Sequence, residues 1–324
     1  MDSCERIAPF TRQLNGFLLT PRREILEMVS GLWTTDLIAW TIYARGKSAI
    51  ENLFTDPPDL LVVDSRMPDM PGTDLVNLIK SENVYRQVPV VLCLDAQDLV
   101  QCSNWSTIEA DDFLIMPCAA DEARARLSLT LCRASRSLDA NPLSRLPGNT
   151  TIIQRIQELI DNRQDFALGY VDLDFFKSFN DKYGFSRGDE ALLMTARIIV
   201  NTIRSFSCAS SFVGHVGGDD FVFILPPDMV EDACKQIIDR FDAIIPNCYD
   251  PEDQERGFIR STDRKGNFQE FPIMAISLAV VLNLDARLKH FGEASQIASV
   301  LKKKAKENPK SCYVIDRRDH SSAA

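Results

Sequence analysis

Two domains of mixed α and β structure are predicted: a doubly wound parallel α/β sheet, then an α+β domain built around a mixed sheet. Three observations carry this. The chain has 324 residues, enough for about two domains of ordinary size. Over its first part, short apolar runs alternate with amphipathic stretches, the pattern of parallel strands covered by helices on both faces. Near residue 140, Pro142, Pro147 and Gly148 break the chain in ANPLSRLPGN.

In the first domain, strands are predicted at Gly16–Thr20, Ile38–Tyr43, Leu60–Val63, Val88–Leu94 and Asp112–Ile115. Helices are expected at Arg22–Gly31, Lys47–Phe54, Gly72–Glu82 and Ser106–Glu109. In such a sheet, chemistry sits at the carboxyl ends of the strands. Residues 121–140 read as a connecting helix. Leu127, Leu131, Ala134 and Leu138 recur at spacings of four, three and four, which suits an amphipathic helix or a short dimer stalk alike.

The second domain opens with a helix, Thr151–Asn162, and a strand, Phe166–Asp172. A long helix, Gly188–Ser205, leads to two strands, Ser211–Val216 and Phe221–Leu225, that meet at a glycine turn. Helix Met229–Ile245 follows, then a hairpin over Gly257–Phe271 turning at Lys265-Gly266-Asn267. Strand Ile273–Leu282, helix Glu293–Glu307 and strand Cys312–Ile315 complete it. This order suggests a palm or ferredoxin-like α+β sandwich.

Composition narrows the function. With 45% apolar and 25% charged residues the chain is globular, and 36 basic against 46 acidic residues leave a net charge of -10. Residues 1–140 hold 13 basic and 20 acidic residues, and residues 141–324 hold 23 and 26, so the acidity lies mostly in the first domain. A broad basic face for DNA is therefore not expected. The nine cysteines are scattered without CxxC spacing and only three histidines exist, which disfavours a zinc site and a disulfide framework. The N-terminus lacks the pattern of a signal peptide. No run approaches the ~20 apolar residues of a membrane span. A soluble, cytoplasmic protein without a membrane partner is expected.

The strongest chemistry lies in two segments of the second domain. Val171-Asp172-Leu173-Asp174-Phe175-Phe176-Lys177 places carboxylates at a strand end with a lysine just beyond. Gly217-Gly218-Asp219-Asp220-Phe221 places a second acidic pair at a hairpin tip. On neighbouring strands Asp172 and Asp219 converge, and hard carboxylate oxygens there suit Mg²⁺ carrying a triphosphate. Gly217 and Gly218 remove two side chains, so a bulky ligand can approach the backbone.

The joint pattern resembles the GGDEF family, the diguanylate cyclase domain. Its first stretch reads from Asp172 through Asn180, Gly184, Gly188 and Asp189 to Leu192, and the hairpin reads Gly217-Gly218-Asp219-Asp220-Phe221. Asn141 to Pro147 looks like the family's opening motif, and Ala305-Lys306 with Lys310 is similar to its last one. The resemblance implies a domain over residues 141–317 that condenses two GTP into cyclic di-GMP. It implies that Asp172, Asp219 and the Leu173 carbonyl hold Mg²⁺ or Mn²⁺. The amides of Phe175, Phe176 and Lys177 would cradle the terminal phosphates, with charge from Lys306 and Lys310. Asn180 and Asp189 would read the guanine edge, with Leu192 against the base. Asp219, Asp220 and Lys177 are the implied catalytic side chains. Each domain takes one GTP, so a homodimer is implied.

Four departures from the family stand out. Asp220 replaces a glutamate, His215 an arginine and Lys310 another arginine, losing its bidentate fork. The inhibitory R-x-x-D site is replaced by Cys208-Ala209-Ser210-Ser211. His215 reads as a strand-surface residue rather than a catalyst. The alternative to an active cyclase is a weak or inactive GGDEF domain that binds GTP and signals by contact.

Leu61-Val62-Val63-Asp64-Ser65-Arg66-Met67-Pro68 resembles the phosphoacceptor segment of a response-regulator receiver, implying a flavodoxin-like domain over residues 13–132 with Asp64 as the phosphorylated residue. The receiver's other parts do not match. Thr20-Pro21-Arg22-Arg23 stands where an acidic pair binds Mg²⁺, Leu94-Asp95 where a hydroxyl residue follows the fourth strand, and Met116-Pro117 where a lysine follows the fifth. The expectation is a pseudo-receiver used for dimerisation or for contact with a partner, such as a sensor kinase of two-component signalling.

Overall fold

The computed structural model describes residues 12–33, 37–53, 55–82, 85–101, 105–262 and 268–316. The chain divides into two compact units, Met1–Leu138 and Asp139–Ala324. Among the described residues no helix is long and apolar enough to cross a membrane.

The first unit runs β1 (Leu14–Leu19), α1 (Arg23–Ser30), β2 (Ile38–Tyr43), α2 (Gly46–Leu53), β3 (Leu60–Asp64), α3 (Gly72–Ser81), β4 (Val90–Asp95), α4 (Ala96–Gln101), β5 (Asp112–Met116) and α5 (Ala120–Asp139). Its five strands are all parallel, in the order β2-β1-β3-β4-β5. This is the doubly wound, flavodoxin-like arrangement, whose crevice lies outside the carboxyl ends of β1 and β3. Alternate residues serve opposite faces. Leu14, Leu18, Val62 and Val91 pack with Ile25, Val29, Leu127 and Leu131 of α1 and α5. Phe17, Leu19, Leu61 and Leu92 pack with Ala49, Leu53, Leu75 and Val76 of α2 and α3. Both faces are buried, so the central strands read as continuous apolar runs.

Several boundaries differ from those expected. β1 begins at Leu14 rather than Gly16, and β4 begins at Val90, after Pro89, which has no N–H to give. The helix expected at Ser106–Glu109 is a 3₁₀ turn at Trp105–Thr107, and α4 lies earlier. Six residues are too few to display a helical period. In the seam of α5, Leu127 and Leu131 are buried in their own unit, whereas Leu138 is exposed.

The second unit runs α6 (Asn149–Asp161), β6 (Phe166–Asp174), α7 (Phe176–Tyr183), α8 (Phe185–Ser205), β7 (Phe212–Gly217), β8 (Asp220–Leu225), α9 (Val230–Ile244), α10 (Pro251–Arg256), β9 (Phe258–Thr262), β10 (Phe268–Pro272), β11 (Ala275–Asn283), α11 (Phe291–Ala305) and β12 (Cys312–Ile315). Its sheet has the order β12-β11-β6-β8-β7, with β11, β6, β8 and β7 antiparallel and β12 added parallel to β11. β6–α7/α8–β7–β8–α9–β11 is therefore a ferredoxin-like βαββαβ unit. Val171, Leu173, Phe221 and Phe223 pack one face under α8 and α9. Leu168, Val222, Ile224 and Ala279 pack the other under α6 and α11.

Two helices were not anticipated in the sequence. Gly184, at φ +83°, separates α7 from α8, so the long helix begins at Phe185 instead of Gly188. α10 carries Asp253, which is buried and ties α7 down: Lys182 Nζ and Tyr183 Oη both donate to it, and Arg256 lies 3.1 Å away. Asp253→Asn is expected to cost about 2 kcal/mol in urea unfolding, because its three partners lose a charged acceptor but reach water in part. The turn expected at Lys265-Gly266-Asn267 lies outside the described residues.

Candidate active site and the acidic centre of the first unit

In the second unit, two strand ends and one helix end meet. Register pairs Val171 of β6 with Phe221 of β8, which puts Asp172 opposite Asp220 at the close of the ladder. The β7–β8 connection turns through Gly217 at φ +146° and Gly218 at φ +58°, conformations that strain any residue with a Cβ. Asp219 follows at the tip. Alternation along α11 sends Ala294, Ala298, Leu301 and Ala305 into the core and brings Lys302 and Lys306, one turn apart, over Asp172.

Asp172 is buried and bound by both ammonium groups: Lys306 Nζ lies 2.7 Å from Oδ1 and Lys302 Nζ 3.0 Å from Oδ2. Burial pushes its carboxyl up, but hydrogen bonds from Lys306 and Lys302 outweigh this and hold it below the usual range. Lys302 also reaches Asp220 Oδ1 at 2.5 Å. Asp219 has no ion pair among the described residues. Burial, and then the charge of Asp172, pushes its carboxyl up. Asp174 accepts a hydrogen bond from Ser277 Oγ, and burial raises its carboxyl as well.

A divalent cation fits this donor set. Asp172 and Asp219 supply the hard oxygens that such an ion prefers. Among the described residues no group of three or more His, Cys, Asp or Glu side chains assembles as a metal cluster.

Beyond Asp174 the chain enters α7 through Phe175, whose left-handed φ of +64° turns it sharply. The amides of Phe176 and Lys177 lie in the first turn of α7, which leaves them without intrahelical acceptors. Lys177 and Lys310 are exposed, and neither forms an ion pair among the described residues. Asn180 Oδ1 is buried and, among the described residues, has no hydrogen-bond partner. It lies against Gly188, where an added Cβ would stand 1.8 Å from it. Leu192 is buried on the same helix, while Asp189 is exposed to solvent.

His215 is not on the strand surface as expected. It is 2% exposed and stacks on Phe221 at 4.1 Å. Nε2 lies 2.9 Å from the Gly218 carbonyl, which can only accept, so Nε2 carries the hydrogen. Nδ1, 2.8 Å away, then accepts from Ser144 Oγ in the opening Asn141–Pro147 segment. Burial lowers its basicity, so the neutral ring braces the hairpin tip. Sequence reading missed this brace and missed Lys302. The only trace of Lys302 was its position four residues before Lys306.

At the carboxyl ends of β1, β3 and β4 in the first unit, Asp64 is completely buried. Arg22 holds both its oxygens in a fork, Nε at 2.7 Å and Nη2 at 2.6 Å, and Thr20 Oγ1 donates at 2.7 Å. The third guanidinium nitrogen reaches Asp95 Oδ1 at 2.7 Å, and Arg66 lies 2.8 Å from the other Asp95 oxygen. A fixed guanidinium thus compensates Asp64 and ties it to Asp95.

Comparison with known proteins agrees with both units. The family model described as the diguanylate cyclase, GGDEF domain, matches residues 139–258, and that of the response regulator receiver domain matches residues 23–128. Diguanylate cyclase DgcP of Pseudomonas aeruginosa is 31% identical over 112 residues, which are 33% of this chain and 16% of that protein. Response regulator PleD of Caulobacter vibrioides is 26% identical over 196 residues, 55% of this chain and 42% of that protein. The chain therefore spans less than half the length of either relative. The solved GGDEF domain of DgcB from Caulobacter crescentus, in complex with c-di-GMP, is 16% identical with a TM-score of 0.40, covering 55% of this chain and 95% of that one.

Proposed function

We propose, from the premise that the chain is a GGDEF-domain protein with an N-terminal receiver domain, that it is a diguanylate cyclase whose receiver unit works without phosphorylation. One observation carries the cyclase reading. Register sets the Asp172 strand end opposite Asp220 of the glycine hairpin, three residues before Phe175 leads into α7, which supports this reading.

In this reading each domain of a homodimer presents one GTP. The 3′-hydroxyl of one GTP attacks the α-phosphate of the other and pyrophosphate leaves; a second such step closes the ring, giving one cyclic di-GMP and two pyrophosphates. A bound Mg²⁺ or Mn²⁺, held by Asp172, Asp219 and the Leu173 carbonyl, would supply charge stabilisation at the phosphates. The amides of Phe175, Phe176 and Lys177 orient the terminal phosphates, with Lys306, Lys310 and the side chain of Lys177 adding positive charge. Asn180 Oδ1 accepts from the guanine edge, Asp189 accepts from N1–H and N2–H₂, and Leu192 packs against the base. Gly217 and Gly218 leave room for the nucleotide, and Asp220 contributes its carboxylate at the tip. The cytoplasm, which holds GTP, is the proposed setting.

Gly188→Ala tests the base pocket. Its methyl group must displace Asn180, so GTP should bind about tenfold or more weakly, measured by calorimetry, at little cost to folding. Incubation of the full chain with GTP and Mg²⁺, resolved by anion-exchange chromatography, tests turnover. A second reading, nucleotide binding without turnover, is favoured by the pairing of Asp220 with Lys302; GTP retained without product would select it.

For the receiver unit, the Arg22 fork supports a pseudo-receiver. A cation already neutralises Asp64, and Thr20 and Arg22 stand where metal carboxylates are needed for phosphoryl transfer. Its proposed role is contact, with a second copy of the chain or with a partner such as a sensor kinase.

A further inference from the structure

We propose that Lys302 is a displaceable internal counter-ion, which occupies the carboxylates of the acidic centre and must swing away before a divalent cation can bind there. This rests on the reading that Asp172 and Asp219 hold that cation.

Three observations carry it. Lys302 is the group that joins the two strand ends, touching Asp172 of β6 at 3.0 Å and Asp220 of β8 at 2.5 Å. With Lys306 beside the remaining oxygen of Asp172, each oxygen of that carboxylate has an ammonium group next to it, whose charge opposes a cation arriving there. Among the described residues Lys306 pairs with Asp172 alone, so of the two lysines Lys302 is the one whose ammonium stands between both strand ends. Charge points the same way. Four carboxyls, Asp172, Asp174, Asp219 and Asp220, face two ammonium groups, and a divalent ion added beside both lysines would meet their repulsion at close range.

Lys302 also has somewhere to go. With Asp172, Asp220 and Lys306 it lines an open pocket of about 390 Å³ that extends past them to Tyr170, Val216, Ser295 and Ser299. A four-carbon stem with a rotatable ammonium head can move into such a space without any backbone change. The same lysine that balances these carboxylates would thus set how tightly the metal is held.

The test measures Mn²⁺ binding to the full chain without nucleotide, from loss of the free-ion signal in electron paramagnetic resonance. Mn²⁺ shares the oxygen-donor preference of Mg²⁺. Lys302→Met keeps the apolar stem and the helix propensity, and Lys302→Gln guards against a packing defect peculiar to methionine. Both are expected to bind Mn²⁺ at least about tenfold more tightly than wild type, and Lys302→Arg to stay near wild type. Asp172→Asn is run in parallel and is expected to weaken binding. If Asp172→Asn weakens binding while both neutral variants match or fall below wild type, the counter-ion role is overturned and the metal site stands. If Asp172→Asn binds like wild type, the metal reading fails and the counter-ion role fails with it.

Discussion

Replacing Arg22 by alanine is expected to cost the first unit about 3–5 kcal/mol of unfolding free energy, read from urea titration of the purified protein. Asp64 is fully enclosed, and the two guanidinium contacts at 2.7 and 2.6 Å are its only ion pair among the described residues. Without them, the Thr20 hydroxyl and the Arg66 amide remain, two neutral donors for a buried charge. Arg23–Glu27 makes a useful control. It is as short, at 2.6 Å, but 89% and 60% exposed, so its loss should cost no more than about 0.5 kcal/mol. A double replacement, Arg22→Met with Asp64→Leu, should recover most of the stability, because the cost lies in leaving one charge unpaired rather than in losing the pair. A loss below about 1 kcal/mol for Arg22→Ala would mean that water or another cation reaches Asp64.

Asp219→Asn is expected to lower cyclic di-GMP formation by about 10²–10³-fold, with GTP still bound through the amides at the start of α7 and the base pocket. The substitution keeps shape and removes a charge. Asp219 makes no ion pair among the described residues, so the fold does not depend on it for charge balance. Loss of turnover with stability unchanged would assign it to the chemistry. An equal loss of stability and turnover would instead make it structural.

The architecture was legible where apolar periodicity had one physical cause. β2 and β12 fall at the residues expected, and the fully buried run Leu60–Val63 could belong to little but a central parallel strand. Elements too short to show a period were not legible: α4 and α10 have six residues each, and α7 is cut off by Gly184. The acidic strand end and the glycine hairpin could be read because both are local. What joins them could not. Lys302, Lys303, Lys304 and Lys306 look alike in sequence, and the buried stripe Ala294-Ala298-Leu301-Ala305 decides which of them turn inward. Arg22 looked like a missing acidic residue. Only the arrangement of three strand ends shows that it supplies the positive charge a metal ion would bring. His215 was misplaced for a related reason, since its partners, Ser144 and Gly218, lie on two separate loops.

The most direct test is a product count by mass spectrometry. The full chain is incubated with Mg²⁺ and an equal mixture of GTP and ATP, with and without acetyl phosphate. The prediction is cyclic di-GMP alone, in an amount that acetyl phosphate leaves unchanged. Bound GTP with no cyclic product would contradict the cyclase reading, a mixed cyclic dinucleotide would contradict the roles given to Asn180 and Asp189, and a yield that acetyl phosphate raises would contradict the sealed Asp64.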